Sequence, residues 1–319
     1  MRCELRTLIA VGAGCLALGC GNYSNADLEF FNALPSREDI KSNLPEAEPT
    51  LRAPSSPQAA LRRALGTAAP AEVVLGQTAK LYEDTQNASH LFKAIAEVLV
   101  TLVEEVQRHP PSTRTALERS WGPFTPRENP GFEFRVTIAR DPAAAERFNY
   151  RFEFRPQGSG EEGYLSFITG HFVRGEGPLG IGAVLFDNRV LEDAGIATGL
   201  ELDWLQIDYD TRAFPRTVRM EFARLLDTLT YQHAEYADDS GEMQFRFDDA
   251  FSATFDISSA WTAGGAGRAA ATVTRLFGPV GSLSQCWNDA FLLTFHQSDF
   301  EAPNLLGSED ACPPAPGVP

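Results

Sequence analysis

Arg147-Phe148-Asn149-Tyr150-Arg151-Phe152-Glu153-Phe154-Arg155 alternates without a break between a charged or amide side chain and an aromatic one. In an extended chain successive side chains point to opposite faces, so one face of this stretch is aromatic and the other polar. That pattern belongs to an antiparallel strand covered on one side only. Working outward, a two-residue period recurs at about 132–140, 163–174, 180–187, 199–209, 214–224, 228–237, 242–248, 251–261, 269–276 and 282–287. Turn signals such as Asp239-Ser240-Gly241 and Gly264-Gly265 separate several of these segments. The expectation is about eleven strands in meander order. Open sheets that wide normally curl or close, which gives a curved, half-barrel-like sheet. Of the 22 Phe, 18 lie between residues 130 and 300, so the sheet has bulky side chains to bury or to line a cavity.

Upstream of the sheet the period is helical. Leu91, Ile95, Val98, Leu99, Leu102 and Val106 fall on one stripe, with Glu97, Glu104, Glu105 and Arg108 elsewhere on the wheel. The stripe reads as core packing, with a movable helix over a ligand cavity as the alternative. A break near 84–89 divides residues 71–108 into two expected helices, and His109-Pro110-Pro111 ends the second. Ser56-Pro57 and Gly66 bracket a short first helix at 57–65, and another is expected near 191–196. The class is therefore α+β, a meander sheet with N-terminal helices packed against it.

The chain has 319 residues, 43% of them hydrophobic, with 43 acidic against 27 basic side chains and a net charge of −16. A folded acidic protein fits this composition, and an acidic surface repels nucleic-acid phosphate. Residues 1–20 carry Arg2 and Arg6, an eleven-residue apolar stretch at 8–18, then Gly19 and Cys20. This is a secretory signal, too short to span a bilayer. Cys286 and Cys312 are then the only cysteines downstream of Cys20, and in an oxidising compartment they are expected to form a disulfide. The expected layout is a signal peptide at 1–19, an anchor and flexible tether at 20–56, a helical segment at 57–120, and a sheet at 121–300 forming one domain with those helices. A disulfide-tied tail with a disordered end follows at 301–319.

A search for chemistry finds no HExxH, GxSxG, P-loop, CxxC or helix-leading GxGxxG. Gly180-Ile181-Gly182 lies within an apparent strand and reads as tight packing or a bulge. His171, His233, His90, His109 and His296 show no ligand spacing, and each reads as an ordinary surface or satisfied core histidine. Asp208 with Asp210, and Asp238-Asp239 with Glu242, read as solvated turns before Ca²⁺ ligands, since the EF-hand order is absent. No catalytic residue, metal or cofactor is expected.

Leu16-Ala17-Leu18-Gly19-Cys20 resembles the bacterial lipoprotein box. That resemblance implies acylation of Cys20, including palmitate-type chains, and cleavage before it, with a plain cleaved signal as the alternative. Removing 1–19 leaves 25 basic against 42 acidic side chains, or −17. Gly21 after the cysteine points toward the outer membrane by the family's sorting rule. Trp121-Gly122-Pro123, the 261–268 stretch ending Gly264-Gly265-Ala266-Gly267-Arg268, and Gln285-Cys286-Trp287-Asn288-Asp289-Ala290-Phe291 resemble marks of uncharacterised myxobacterial lipoproteins, a similarity that brings no activity. Where those marks lead one to expect an acid soon after the Gly-Arg pair, this chain has Ala270. At fold level only, the order of elements is similar to the half-barrel carriers of the Lol lipoprotein pathway.

The expectation for function is a lipid-anchored, non-enzymatic envelope lipoprotein, periplasmic or surface-facing. It would bind a lipid or other hydrophobic ligand through Phe148, Tyr150, Phe152, Phe154 and Trp204. The alternative is a surface or assembly protein that binds another envelope protein through its exposed sheet face.

Overall fold

The computed structural model describes residues 24–40, 44–45, 73–127, 129–176, 179–200, 202–225, 227–248, 253–275, 281–299 and 304–314. The signal peptide, Cys20, the expected helix at 57–65 and residues 315–319 lie outside the described residues. Three α-helices are described: α1 (Asn25–Phe31), α2 (Lys80–Gln107) and α3 (Asn188–Asp193). The strands begin with β1 (Thr113–Arg114), β2 (Glu118–Phe124), β3 (Phe132–Asp141), β4 (Ala144–Pro156) and β5 (Leu165–Arg174). They continue with β6 (Gly180–Asp187), β7 (Trp204–Asp210), β8 (Arg216–Arg224), β9 (Asp227–Glu235) and β10 (Gly241–Asp248). The last five are β11 (Ala253–Trp261), β12 (Gly267–Arg275), β13 (Gly281–Trp287), β14 (Leu293–Ser298) and β15 (Leu305–Gly307). All fifteen belong to one sheet in sequence order, and their registers, where paired, are antiparallel.

Fifteen strands replace the eleven expected. The four extra ones are β1, β2, β14 and β15, and each hides its period. β1 and β15 have two and three residues. β2 contains Gly122-Pro123, a breaker in sequence terms, which the strand takes up as a register shift between Trp121 and Phe124. β14 begins after the Asn288 turn, where Asn288 Oδ1 accepts from the Ala290 and Leu292 N–H groups.

The helix expected to break at 84–89 is instead continuous from Lys80 to Gln107. Its polar residues Asp84, Thr85, Gln86 and Ser89 are buried. Thr85 Oγ1 donates to Leu81 O at 2.6 Å or shares its proton with Ser259 Oγ at 2.5 Å, and Gln86 Nε2 donates to Tyr82 Oη. Satisfied in this way, such residues need not interrupt a helix. Within the stretch read as tether, residues 24–40 include a capped helix: Ser24 and Asp27 form a reciprocal capping box on α1.

The described residues fall into two compact units. The first takes its residues from Met1–Ile40, Glu97–Arg212 and Phe222–Leu225. In it, β3 to β7 pair in sequence order, with register shifts at Arg140/Asp141 and Phe152/Glu153, and β4 presents its aromatic residues to a face that α1 helps cover. Phe30 meets Phe148 edge-on at 5.3 Å and Phe31 meets Trp121 at 5.4 Å. Asp27 is buried against Arg119 (2.5 Å), whose guanidinium lies over the Phe30 ring. Burial alone would raise the Asp27 pKa, but hydrogen bonds from Ser24, Arg119 and Arg114 bring it down to about 2. Gly182 lies directly beneath the Tyr209 ring, so a Cβ there would collide with it.

The second unit takes its residues from Lys41–Ala96, Ala213–Glu221 and Leu226–Pro319. Its part of α2 crosses the strands. Leu81 N–H donates to Gln285 on β13, Thr85 meets Ser259 on β11, and Phe92 stacks on Tyr231 of β9 at 4.6 Å. Trp261 and Trp287 lie over Gly241 and Gly267 of neighbouring strands, sites where only a missing Cβ makes room. Trp287 Nε1 donates to Gly265 O in the β11–β12 turn, and Phe291 stacks on Tyr82 at 4.4 Å. The motifs at 261–268 and 285–291 therefore build hairpins and packing. Cys286 and Cys312 are joined in a disulfide, as expected.

Replacing Gly182 by Ala is expected to cost roughly 1–3 kcal/mol through overpacking against Tyr209, read from urea unfolding. Reducing the disulfide, which spans 26 residues, is expected to cost roughly 3 kcal/mol, read as a lower urea midpoint.

Candidate functional site

The four β4 aromatics proposed for ligand contact are all buried, and the chain's own groups meet them. Phe148 touches Phe30, with the Arg140 and Arg174 guanidinium groups about its ring at 5.0 and 5.2 Å. Phe152 meets Phe167, and Phe154 meets Phe132, Phe134 and Phe167, all within 6.4 Å between ring centres. Tyr150 Oη donates to Ala183 O at 3.0 Å, and burial pushes its pKa far up. Trp204 is not with them. It pairs with Asp187 in β6, one residue out of step with Leu205 and Phe186, which places it half-buried on the opposite face.

That opposite face of β4 to β7 is organised in transverse rows. Arg147, Val173, Ile181 and Asp210 form one row. Asn149, His171, Ala183 and Asp208 form the next, followed by Arg151, Thr169, Leu185 and Gln206. β6 is apolar on both faces: Val184 and Phe186 are buried on one, while Ile181, Ala183 and Leu185 point the other way, Leu185 with 40% of its surface exposed. A strand with only one covered side should alternate, so β6 departs from the rule in the direction that makes an apolar strip. Val173 widens the strip on β5, and Trp204 sits beyond Leu185 at its end. On the β4 side the strip is rimmed by exposed Arg147 and Arg151, and on the β7 side by Asp208 and Asp210. Arg151 reaches Glu153 at 3.2 Å, Asp208 accepts from Gln206, and Asp210 pairs with Arg212 at 2.8 Å. The pKa of His171, in the middle of the face, is lowered by burial and by Arg147, with Asp208 opposing.

The second unit holds a feature that sequence reading missed. His233, Met243, Ser259, Ala269, Gln285 and His296 lie in one row across β9 to β14, beneath α2. Gln285 Oε1 accepts the Leu81 N–H, so its Nε2 donates to His296 Nδ1 at 3.1 Å. His233 stacks on Trp261 at 5.6 Å and is only 4% exposed. Among the described residues no group hydrogen-bonds its ring nitrogens or Trp261 Nε1. Burial, with Lys93 adding to it, lowers the His233 pKa to about 4. A histidine two residues from a buried Tyr on a half-apolar strand was the available signal, but one sequence cannot distinguish satisfied from unsatisfied burial.

Among the described residues no group of three or more His, Cys, Asp or Glu could hold a metal ion, and no helix is long and apolar enough to cross a membrane. No family model matches the chain, and no curated protein or solved structure matches it.

His233 makes stability pH-dependent. The unfolded chain takes up the proton near the ordinary pKa of about 6.5, the folded one only near 4, so stability is full above 6.5 and falls as pH drops through that window. The expected loss is about 3 kcal/mol by pH 4. Urea unfolding at pH 7, 5.5 and 4.5 checks it, and His233→Phe should remove this part of the slope.

Proposed function

We propose that this chain is a non-enzymatic lipoprotein of the cell envelope, anchored through acylated Cys20, which acts by binding another protein through the β4–β7 face rimmed by Arg147, Arg151, Asp208 and Asp210. One observation carries the choice of partner over ligand. The aromatic face of β4 is met by the chain's own side chains, whereas the apolar strip of β6 is turned outward. A contiguous apolar strip with a charged rim is the composition of a recognition surface, in which Trp204 and Leu185 would serve as anchors. The anchor is supported by the lipoprotein-box resemblance and by two or three acyl chains sufficing to hold a domain on a membrane. Outer-membrane sorting rests on Gly21, and half-barrel curvature on strand number.

A second reading, a ligand held inside the second unit, has one observation in its favour: the ring nitrogens of His233, near Trp261, which have no hydrogen-bond partner among the described residues. Unpaired buried polar atoms each cost roughly 1–3 kcal/mol, and a hydroxyl-bearing guest would satisfy them. Native mass spectrometry of the full chain released from detergent would show such a guest as a reproducible added mass.

Radiolabelled palmitate should enter the wild-type chain and not Cys20→Ser, with the protein moving from the membrane to the soluble envelope fraction. Labelling of the variant, or a soluble wild type, would refute the anchor.

A further inference from the structure

We propose that the β4–β7 face binds a second copy of this chain, face to face, about a two-fold axis running parallel to the strands. This rests on the reading of that face as a protein-binding surface and names its partner. The argument is one of charge placement. The basic rim lies on β4 and the acidic rim on β7, with two apolar-bearing strands between them. A two-fold parallel to the strands keeps each row at its own level and exchanges left for right. It therefore sets Arg147 opposite the partner's Asp210 and Arg151 near the partner's Asp208, twice over. The same operation lays the strip of Ile181, Ala183 and Leu185 over the partner's Val173, and the reverse. A two-fold perpendicular to the strands would instead set arginine against arginine, so the face itself selects the axis.

Such a contact is isologous and closed, as the commonest homodimers are. Four strands at about 4.8 Å spacing, each contributing about five residues, form a face some 15–20 Å on a side. That is small for a protein interface, so a weak dimer is expected, with a dissociation constant in roughly the micromolar range. The rim is engaged only locally: Arg151 pairs with Glu153, Asp208 with Gln206 and Asp210 with Arg212, each two residues away along the chain, while Arg147, Arg151 and Gln206 stay exposed, and partly exposed pairs of this kind contribute little.

Sedimentation velocity of the full chain in detergent, across roughly 1–100 µM, tests the proposal. Wild type should shift from monomer to dimer. Leu185→Arg, Arg147→Glu with Arg151→Glu, and Asp208→Arg should each weaken the dimer at least about tenfold while keeping wild-type circular dichroism. Mixing the Arg147→Glu/Arg151→Glu chain with an Asp208→Arg/Asp210→Arg chain should restore association, because each rim then again faces a rim of opposite sign. No fold defect produces that rescue. A wild type that stays monomeric, or a dimer untouched by these changes, overturns the inference. A photo-crosslinking residue in place of Thr169, used in intact cells, separates this from the broader reading. Crosslinking to a second copy supports the dimer. A different protein overturns the dimer and leaves the protein-binding face standing, and no crosslink overturns both.

Discussion

A strand with an aromatic side chain at every second position must have one face covered, and every larger feature of this chain answers to that requirement. Water tolerates the other face, so the chain needs cover on one side only. In the first unit α1 supplies Phe30 and Phe31 and is itself held by Asp27, whose charge survives burial because Ser24, Arg119 and Arg114 all hydrogen-bond it. In the second unit α2 crosses the strands, and polar groups on both partners meet along the line of contact. Where a large ring had to lie flat on the sheet, the neighbouring strand carries glycine, as with Trp261 over Gly241 and Tyr209 over Gly182.

The architecture was legible in the sequence where the two-residue period was clean, which is why the eleven expected segments all correspond to strands, β3 to β13. It failed at short strands and at β2, because a bulge and a proline look alike in sequence whether they end a strand or bend it. The helix prediction failed for a related reason. Asp84, Thr85, Gln86 and Ser89 carry the propensities of a break, and only tertiary partners such as Ser259 reveal them as buried inside a continuous helix.

The candidate site was less legible. An apolar residue at an outward position of β6 cannot be told from an inward one until pairing with β5 and β7 fixes the face, so the strip of Ile181, Ala183 and Leu185 was not singled out. Trp204 was assigned to the wrong face because β7 was started five residues early, at 199, and its phase was not pinned by a flanking pattern. His233 was read as an ordinary surface or satisfied core histidine; it is buried, and among the described residues nothing hydrogen-bonds its ring nitrogens, an inventory that depends on neighbours a linear sequence does not display.

The order of pairing bears on how the chain acquires its structure. Each strand finds its partner next to it along the chain, so strands can zip up one after another as they emerge, with little loop entropy to overcome. The helix α2 is the exception: Leu81 must wait for Gln285, 204 residues later. Phe92 can meet Tyr231 once β9 is made, but Tyr82 lacks its Trp287 cover until β13 follows. Thr85, which later meets Ser259 on β11, makes that face of the helix less apolar than an unbroken stripe would be, so a polar residue that disguises the helix in sequence also lowers the apolar surface left waiting for the sheet.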